Sequence, residues 1–256
     1  MGWEKAKELT KQAKEWTNYM VTKHDKNILA SVNNSVIYTP NYNENDTKIR
    51  VVQDTSVDAI FKIKTEGKRA VLNFASYKHP GGGYIKGAMA QEESLCHASD
   101  LYNVLKNDKF KNDFYDYNKE HLNKGLYDSR LIYSPDIIFY NENEESKTCD
   151  VITCAAPNST VAKDYQHISE DVLLQVMKDR ILMILRVAQE NKVKVLILGA
   201  FGCGVFGNNP NITAKIFKEC LTKYQYYRNV FDVVVFAIPD DENYNIFKDI
   251  LDERKL

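Results

Sequence analysis

Short apolar segments rich in β-branched residues alternate with amphipathic segments of helical period along most of the chain. The clearest strand pattern is residues 193–198, Val-Lys-Val-Leu-Ile-Leu, which follows a long segment, 169–189, with apolar residues at helical intervals. Strands that alternate with helices predict a mostly parallel or mixed sheet with helices on both faces. The sequence therefore predicts an α/β fold, in which ligands bind at the carboxyl ends of the strands.

The same two periodicities predict the other elements. Further helices are predicted over 3–20, 58–64, 92–106, 108–120, 211–224 and 241–253. Further strands are predicted over 35–39, 49–52, 69–74, 131–133, 137–140, 151–155 and 230–238, with a turn at Ser134-Pro135. The length predicts a single domain over residues 1–256, with an N-terminal helical and strand extension over 1–50 and a core over 51–256.

Composition argues against several classes of function. The 34 basic and 35 acidic residues are well mixed, so the chain has no global field that favours nucleic acid or an anionic membrane surface. Neither a signal-peptide pattern nor an apolar run of the roughly 18 residues that span a bilayer is found. The five cysteines lack a Cys-x-x-Cys pair and the histidines are scattered, so we expect reduced thiols and no metal site. We expect a cytoplasmic monomer without direct contacts to nucleic acid or membrane.

The most distinctive stretch is residues 81–93, Gly-Gly-Gly-Tyr-Ile-Lys-Gly-Ala-Met-Ala-Gln-Glu-Glu, which follows the strand predicted over 69–74. Three successive glycines let backbone amides come close to a ligand. Glu92 and Glu93 then place two carboxylates beside this loop, and at least one of them should have a raised pKa because each disfavours ionisation of the other. Taken separately, a run of glycines is most often only a turn, and two glutamates in the first turn of a helix are most often exposed to water. Together they predict an acid/base site beside an anion-binding loop.

A second glycine-rich stretch, residues 199–208, follows the strand predicted over 193–198 and reads Gly-Ala-Phe-Gly-Cys-Gly-Val-Phe-Gly-Asn. It contains the pattern Gly-x-Gly-x-x-Gly of dinucleotide-binding folds, but that fold needs an early position and an acidic residue about 20 positions later. The loop comes late in this chain and the next predicted strand lies too far away, which disfavours a nicotinamide-dependent dehydrogenase. Without that fold, the sequence still predicts a loop whose free backbone amides can bind a phosphate or diphosphate.

The order of these motifs carries a resemblance. Residues 73–75 (Asn-Phe-Ala), 81–83 (Gly-Gly-Gly) and 91–93 (Gln-Glu-Glu) resemble the signature of poly(ADP-ribose) glycohydrolases, specifically the compact microbial form built on a macrodomain. Residues 202–208 are similar to the macrodomain diphosphate-binding loop, and 154–158, Cys-Ala-Ala-Pro-Asn, match a strand end in the middle of that family. The resemblance implies a macrodomain-like three-layer α/β/α fold with a mixed central sheet.

The resemblance also implies an activity and a set of site residues. The implied reaction is hydrolysis of the ribose–ribose O-glycosidic bond of poly(ADP-ribose), from chain ends and with release of ADP-ribose. Glu93 would act as general acid and then base, Glu92 would hold the ribose hydroxyls, Phe206 would pack against ribose and Phe236 would stack on adenine. The implied substrate-binding residues are Asn73, Ala75, Ser76, Gly81, Gly82, Gly83, Gln91, Gly202, Cys203, Gly204, Val205, Phe206, Gly207, Asn208 and Phe236. No cofactor and no metal are implied.

Three functions stay open at this point. The usual glycosidases flank the bond with two carboxyls on opposite sides, which adjacent glutamates can hardly do, so one residue that acts first as acid and then as base fits better. A macrodomain that binds ADP-ribose without cleaving it is disfavoured, because diphosphate binding gives no reason to keep two carboxylates beside it. A hydrolase of mono-ADP-ribose on protein or nucleic acid uses the same contacts. The expected partner is therefore poly(ADP-ribose) or an ADP-ribosylated protein as substrate, with ADP-ribose as product.

Overall fold

The computed structural model describes residues 3–38, 47–224 and 230–251. The strands in these ranges are β1 (Val36–Tyr38), β2 (Ile49–Val52), β3 (Arg69–Phe74), β4 (Leu131–Tyr140), β5 (Ser146–Cys154), β6 (Val195–Leu198) and β7 (Val233–Ala237). They form one seven-stranded sheet in the order β1-β4-β5-β3-β6-β7-β2. The five strands from β5 to β2 in this order are parallel, whereas β4 is antiparallel to both β5 and β1. The prediction of a mixed sheet is confirmed.

Helices cover both faces of this sheet. They are α1 (Trp3–Asn34), α2 (Ser56–Lys62), α3 (Gln91–His97), α4 (Leu101–Leu105), α5 (Asp108–Phe110), α6 (Tyr117–Glu120), α7 (Glu170–Glu190), α8 (Pro210–Thr222) and α9 (Asp241–Leu251). Successive residues of β3 point to opposite faces, as in any strand. Ala70 and Leu72 join the apolar cluster under α7, α8 and α9, whereas Val71 joins the cluster under α1 to α4. The three-layer α/β/α architecture is therefore confirmed.

Strand β4 differs from the sequence prediction. It runs without a break from Leu131 to Tyr140, so the turn predicted at Ser134-Pro135 is wrong. The pairing of β4 with β5 shifts register between Ser134 and Ile137, which marks a β-bulge. Proline has no N–H for the ladder, and a bulge is where a strand tolerates it.

Several helix boundaries also differ. Helix α1 continues past residue 20 to Asn34, with non-helical backbone angles at His24, because apolar residues that pack on the sheet continue beyond the predicted end. The segment predicted as one helix over 92–106 is divided into α3 and α4, and a π-helix, Lys111–Asp116, separates α5 from α6. The predicted ends of strand 35–39 and helix 241–253 lie partly outside the described residues. Within the described ranges, no helix combines the length and apolar character that a membrane span requires.

Candidate active site

A cleft of about 480 Å³ lies at the carboxyl ends of β3 and β6. Two separate stretches of chain line it, and both contain a glycine-rich motif. We call residues 74–93 the carboxylate wall and residues 199–208 the amide wall. The lining residues are Phe74, Ala75, Ser76, Tyr77, Lys78, His79, Gly82, Gly83, Lys86, Ala90, Gln91, Glu92, Glu93, Ala200, Gly202, Gly204, Val205 and Phe206. The fold thus brings both predicted motifs to one cavity of a size typical for small-molecule ligands.

Glu92 lies at the base of the carboxylate wall and is only 3% exposed. Its Oε1 accepts a hydrogen bond from Asn73 Nδ2 (3.2 Å), and its Oε2 accepts one from the Ser76 backbone N–H (2.7 Å). Burial raises the pKa of Glu92 to about 8, the charge of Glu93 adds to this rise, and the hydrogen bonds oppose it. A raised pKa in the pair is as expected, but its main cause is desolvation rather than the neighbouring carboxylate. Near neutral pH, Glu92 therefore carries a proton for most of the time.

Glu93 is 7% exposed and is the third residue of α3. Its Oε1 accepts from the Gly83 N–H (2.7 Å), and its Oε2 accepts from the N–H of Ala90, the residue that caps α3 (3.0 Å). A glutamate at this position that reaches back to the cap residue is one half of a capping box. The carboxylate of Glu93 is therefore fixed between the glycine motif and the start of the helix.

The glycine motif is shaped to fit these carboxylates. Gly82 has a φ of +59°, and a Cβ atom there would lie 2.3 Å from Glu93 Oε1 and 3.0 Å from Glu92 Oε2. The Gly83 N–H binds Glu93, the Gly82 N–H binds the His79 carbonyl (3.0 Å), and the Gly81 backbone hydrogen-bonds Glu92. The expectation that these amides form an anion-binding loop for a ligand is therefore wrong, since all three are engaged in hydrogen bonds within the protein, two of them with the glutamates. Gly81 packs on Tyr102 and does not line the cleft.

Gln91 and Asn73 order the carboxylate wall from behind. Gln91 Nε2 donates to the Leu72 carbonyl (2.8 Å) and to Ser56 Oγ (3.0 Å), and Gln91 Oε1 accepts from the Phe74 N–H (2.9 Å). Asn73 is fully buried and does not line the cleft. Its Nδ2 contacts both Glu92 and Thr153 Oγ1 (3.3 Å), so it links the glutamate pair to β5. Both side chains hold the end of β3 to α3.

The amide wall is closed by hydrogen bonds of its own. Asn208 is buried, and its Nδ2 donates to the carbonyls of Pro157 (2.8 Å) and Gly202 (3.0 Å). The Gly207 N–H donates to the Gly204 carbonyl (2.9 Å), which tightens the turn. Within the described part of the chain, no acceptor is found for the backbone N–H groups of Gly202, Gly204, Val205 and Phe206. Free N–H groups clustered in a glycine-rich turn form a concavity that binds anions.

Three predicted residues of the amide wall support it without lining the cleft. Gly207 and Asn208 hold the turn, and the Cys203 thiol donates to the Phe201 carbonyl (3.7 Å). Phe236 is different, because it is fully buried on β7 between the rings of Phe217 (5.0 Å) and Phe247 (5.7 Å). The expectation that Phe236 stacks on adenine is therefore wrong. All five residues of β7 are buried, so its sequence gives no sign of which residues reach the ligand side.

Sequence reasoning did not assign to the site six cleft-lining residues of the carboxylate wall, namely Phe74, Tyr77, Lys78, His79, Lys86 and Ala90. Tyr77 stacks on Tyr127 at 4.4 Å between ring centres, and Tyr127 lies 6.2 Å from Phe206, so an aromatic group connects the two walls. The only sequence signal of the four from Tyr77 to Lys86 is position, since they lie between the strand end and the Gln-Glu-Glu motif.

The sequence over residues 6–142, more than half of the chain, matches the family model of the microbial-type PARG catalytic domain. The chain belongs to the microbial-type poly(ADP-ribose) glycohydrolase (PARG) family. The resemblance inferred from residues 73–93 is thereby confirmed, and the protein is a glycohydrolase. Comparison with curated protein sequences finds no match.

Solved PARG structures share the fold over nearly the whole chain. PARG from Thermomonospora curvata is 26% identical with a TM-score of 0.82, and the match covers 95% of this chain and 99% of that one. The same enzyme bound to the inhibitor ADP-HPD is 27% identical with a TM-score of 0.83, and the match covers 94% of this chain and 98% of that one. PARG from Deinococcus radiodurans in complex with ADP-ribose is 28% identical with a TM-score of 0.79, and the match covers 90% of this chain and 98% of that one. These similarities confirm the macrodomain-like PARG fold.

Proposed function

We propose that this PARG domain hydrolyses the ribose–ribose bond of poly(ADP-ribose), acts from chain ends and releases ADP-ribose. The observation that carries the proposal is one cleft in which two buried, positioned carboxyls lie with a loop of unpaired backbone N–H groups. The relative from D. radiodurans binds ADP-ribose and the one from T. curvata binds ADP-HPD, which supports the same class of ligand here.

The amide wall binds the diphosphate of the terminal ADP-ribose unit. The free N–H groups of Gly202 and of 204–206 donate to the phosphate oxygens, and Phe206 packs against the adjoining ribose. Ala75, Ser76 and the glycines Gly82 and Gly83 contact the terminal ribose from the carboxylate wall. This arrangement directs the anomeric carbon of that ribose toward the glutamate pair.

Glu93 acts as general acid and then as general base. It donates a proton to the leaving 2′-oxygen as the C1–O bond breaks through an oxocarbenium-like state. A water oxygen then bonds to the anomeric carbon, and Glu93 takes the proton that this water loses, so the enzyme is restored. Glu92 retains a proton near neutral pH, because burial raises its pKa to about 8, and donates it in a hydrogen bond to a ribose hydroxyl.

The test compares ADP-ribose release from poly(ADP-ribose) by the wild type and by Glu93→Gln, with ADP-ribose affinity measured for both. We expect Glu93→Gln to lose roughly 10²- to 10⁴-fold in rate while its affinity for ADP-ribose changes little. The matched control is Glu66→Gln, which removes an exposed carboxylate outside the cleft. A wild type that binds ADP-ribose but releases none from the polymer contradicts the proposal. Mono-ADP-ribosylated proteins and nucleic acids are then the next substrates.

We also propose that the N-terminal extension and the core act as a single domain. Tyr84, at the turn that follows the glycine motif, donates from its hydroxyl to the Ala13 carbonyl of α1 (2.8 Å). A Cβ atom at Gly87 would lie 2.3 Å from the Ala6 carbonyl oxygen, so α1 packs directly on this turn. Helix α1 therefore supports the carboxylate wall, and its removal is expected to abolish activity together with folding of that wall.

A further inference from the structure

Three basic side chains, Lys78, His79 and Lys86, line the carboxylate wall beside the glutamate pair. All three are exposed, and the amino groups of the two lysines have no carboxylate partner within 4 Å among the described residues. The reaction proposed above assigns them no role. Because the whole chain has a net charge of −1, the positive charge of Lys78 and Lys86 is a local feature and does not reflect a general excess of basic residues.

Short chains of hydrogen bonds fix these residues on either side of the pair. Ser76 Oγ accepts from the backbone N–H groups of Lys78 (3.4 Å) and His79 (3.2 Å), and the Ser76 N–H donates to Glu92 (2.7 Å). On the other side, the Lys86 N–H donates to the Gly83 carbonyl (2.9 Å), and the Gly83 N–H donates to Glu93 (2.7 Å). Hydrogen bonds through Ser76 therefore connect Glu92 to the backbone of Lys78 and His79, and hydrogen bonds through Gly83 connect Glu93 to the backbone of Lys86.

The basic groups also lie within electrostatic range of one another. The pKa of His79 is lowered first by burial and then by the charges of Lys78, Lys119 and Lys86. Lys119 is neutralised by Asp116 (2.5 Å), which leaves Lys78 and Lys86 as the cations available to a ligand. Two lysines without carboxylate partners at the mouth of a cleft attract an anion.

The two halves of the substrate make different demands on the cleft. Under the proposed function, the amide wall takes the diphosphate of the unit that is released, and the bond to be cleaved lies at Glu93. The departing part of poly(ADP-ribose) is another ADP-ribose unit, which carries a second diphosphate close to the ribose that supplies the leaving 2′-oxygen. The departing part of a mono-ADP-ribosylated protein is an amino-acid side chain without phosphate.

We propose that Lys78, His79 and Lys86 bind the diphosphate of the leaving ADP-ribose unit and so favour the polymer over mono-ADP-ribosylated side chains. This inference rests on the proposed function, since it takes the bond at Glu93 as the one that breaks. It assigns the leaving-group side of the cleft to residues that the sequence analysis did not place in the site.

The test measures binding in Glu93→Gln protein, in which turnover does not interfere. Two ligands are compared: di-ADP-ribose, and an analogue in which ADP-ribose is joined 1″→2′ to adenosine without phosphate. Two exposed lysine contacts predict about tenfold tighter binding of di-ADP-ribose. Adding Lys78→Ala and Lys86→Ala should remove this difference. The slope of log affinity against log salt concentration for di-ADP-ribose should also become shallower, by the amount expected for the loss of roughly one phosphate contact or more.

The control carries Lys64→Ala and Lys215→Ala in the same Glu93→Gln background, and both of these lysines are exposed and lie outside the cleft. It should keep the tenfold preference, and all three proteins should bind ADP-ribose alone with equal affinity. Equal binding of the two ligands by Glu93→Gln overturns the inference, as does an equal loss for both ligands when Lys78 and Lys86 are changed. Failure of the proposed function would be seen in a different experiment, in which the wild-type protein releases no ADP-ribose from the polymer.

Discussion

The two walls of the cleft use their backbone N–H groups in opposite ways. On the carboxylate wall, the N–H groups of Ser76, Gly83 and Ala90 donate to the carboxyl groups of Glu92 and Glu93. On the amide wall, those of Gly204, Val205 and Phe206 have no acceptor in the described part of the chain, and Val205 is 91% exposed. Both stretches are rich in glycine, so their compositions do not reveal this difference.

This difference shows which contacts hold each wall in its conformation. The carboxylate wall is fixed by contacts within the protein, which suits groups that must hold a proton in a defined position before substrate arrives. The amide wall keeps its donors for the ligand, and only its closing contacts, such as those of Asn208, are internal. We therefore expect changes in the first wall to affect catalysis and stability, and changes in the second to affect affinity.

Among changes that leave both glutamates in place, the largest effect is expected for Gly82→Ala. The added Cβ atom would lie 2.3 Å from Glu93 Oε1 at a φ of +59°, so the carboxylate must move. Displacement of a catalytic group by about 1 Å lowers the rate by roughly 10²- to 10³-fold. Rates of ADP-ribose release, with ADP-ribose affinity measured alongside, check this. An active Gly82→Ala enzyme would show that the carboxylate wall is not held as tightly as its contacts indicate.

The next effect concerns the proton on Glu92. In the folded protein the pKa of Glu92 is about 8, whereas in the unfolded chain it lies near the ordinary glutamate value of 4.5, so rising pH favours unfolding in this range. The contribution of Glu92 to the free energy of unfolding should fall by about 3 kcal/mol between pH 5.5 and 8.

Glu92→Gln isolates this contribution, because glutamine has a similar shape and does not titrate. The difference in unfolding free energy between wild type and Glu92→Gln, from urea titrations at several pH values, should shift in favour of the variant as pH rises. A constant difference across this range would mean that Glu92 ionises in the folded protein as an ordinary glutamate does.

Gln91→Ala tests the support behind the carboxylate wall. It removes three hydrogen bonds and leaves the Phe74 N–H and the Leu72 carbonyl each without a side-chain partner. We expect a loss of about 2 kcal/mol in the free energy of unfolding, measured with urea. Gln175→Ala, which removes one exposed contact to Asp179, is the control and should change stability by less than about 0.5 kcal/mol. Equal losses in the two variants would contradict the structural role of Gln91.

The smallest effect is expected in the amide wall. Val205→Pro deletes one free N–H group, whereas Val205→Ala keeps it and removes only an exposed side chain. We expect Val205→Pro to bind ADP-ribose about tenfold more weakly by calorimetry, because one hydrogen bond to a phosphate oxygen is lost. Val205→Ala should bind like the wild type, and neither variant should be destabilised appreciably. If the two variants bind equally well, this N–H group does not contact the ligand.

Much of the fold could be predicted from sequence because its signals are local. The strand at 193–198 and the helix at 169–189 carry clear periodicities, and both are confirmed with small shifts at their ends. The β-bulge at Pro135 could not be predicted, because a turn and a bulge both accommodate a proline and only the partner strand decides between them. Likewise, β7 is apolar throughout, so its sequence could not show that Phe236 faces the interior.

The sequence allowed many residues of the candidate site to be predicted, but not the hydrogen bonds between them. The pattern at 81–93 indicates glycines and carboxylates near one another, and the structure places them together in the cleft. What the pattern could not show is that the Gly83 N–H binds Glu93, since a glycine loop can serve a ligand or its own protein equally well. Lys78 and Lys86 escaped notice because isolated lysines are common on any surface, and only the folded chain brings them beside the pair.

The contacts of α1 have a consequence for how the chain is made. Trp16 Nε1 donates to the Ser99 carbonyl, the Thr17 carbonyl accepts from Asn103 Nδ2, and His24 Nε2 bonds the Tyr140 hydroxyl, so the partners lie 83, 86 and 116 residues further along. During synthesis, α1 is thus without these partners until the chain has been made as far as Tyr140. Such long-range contacts form late and slow folding. The helix that supports the glutamate loop is therefore made well before the contacts that hold it in place can form.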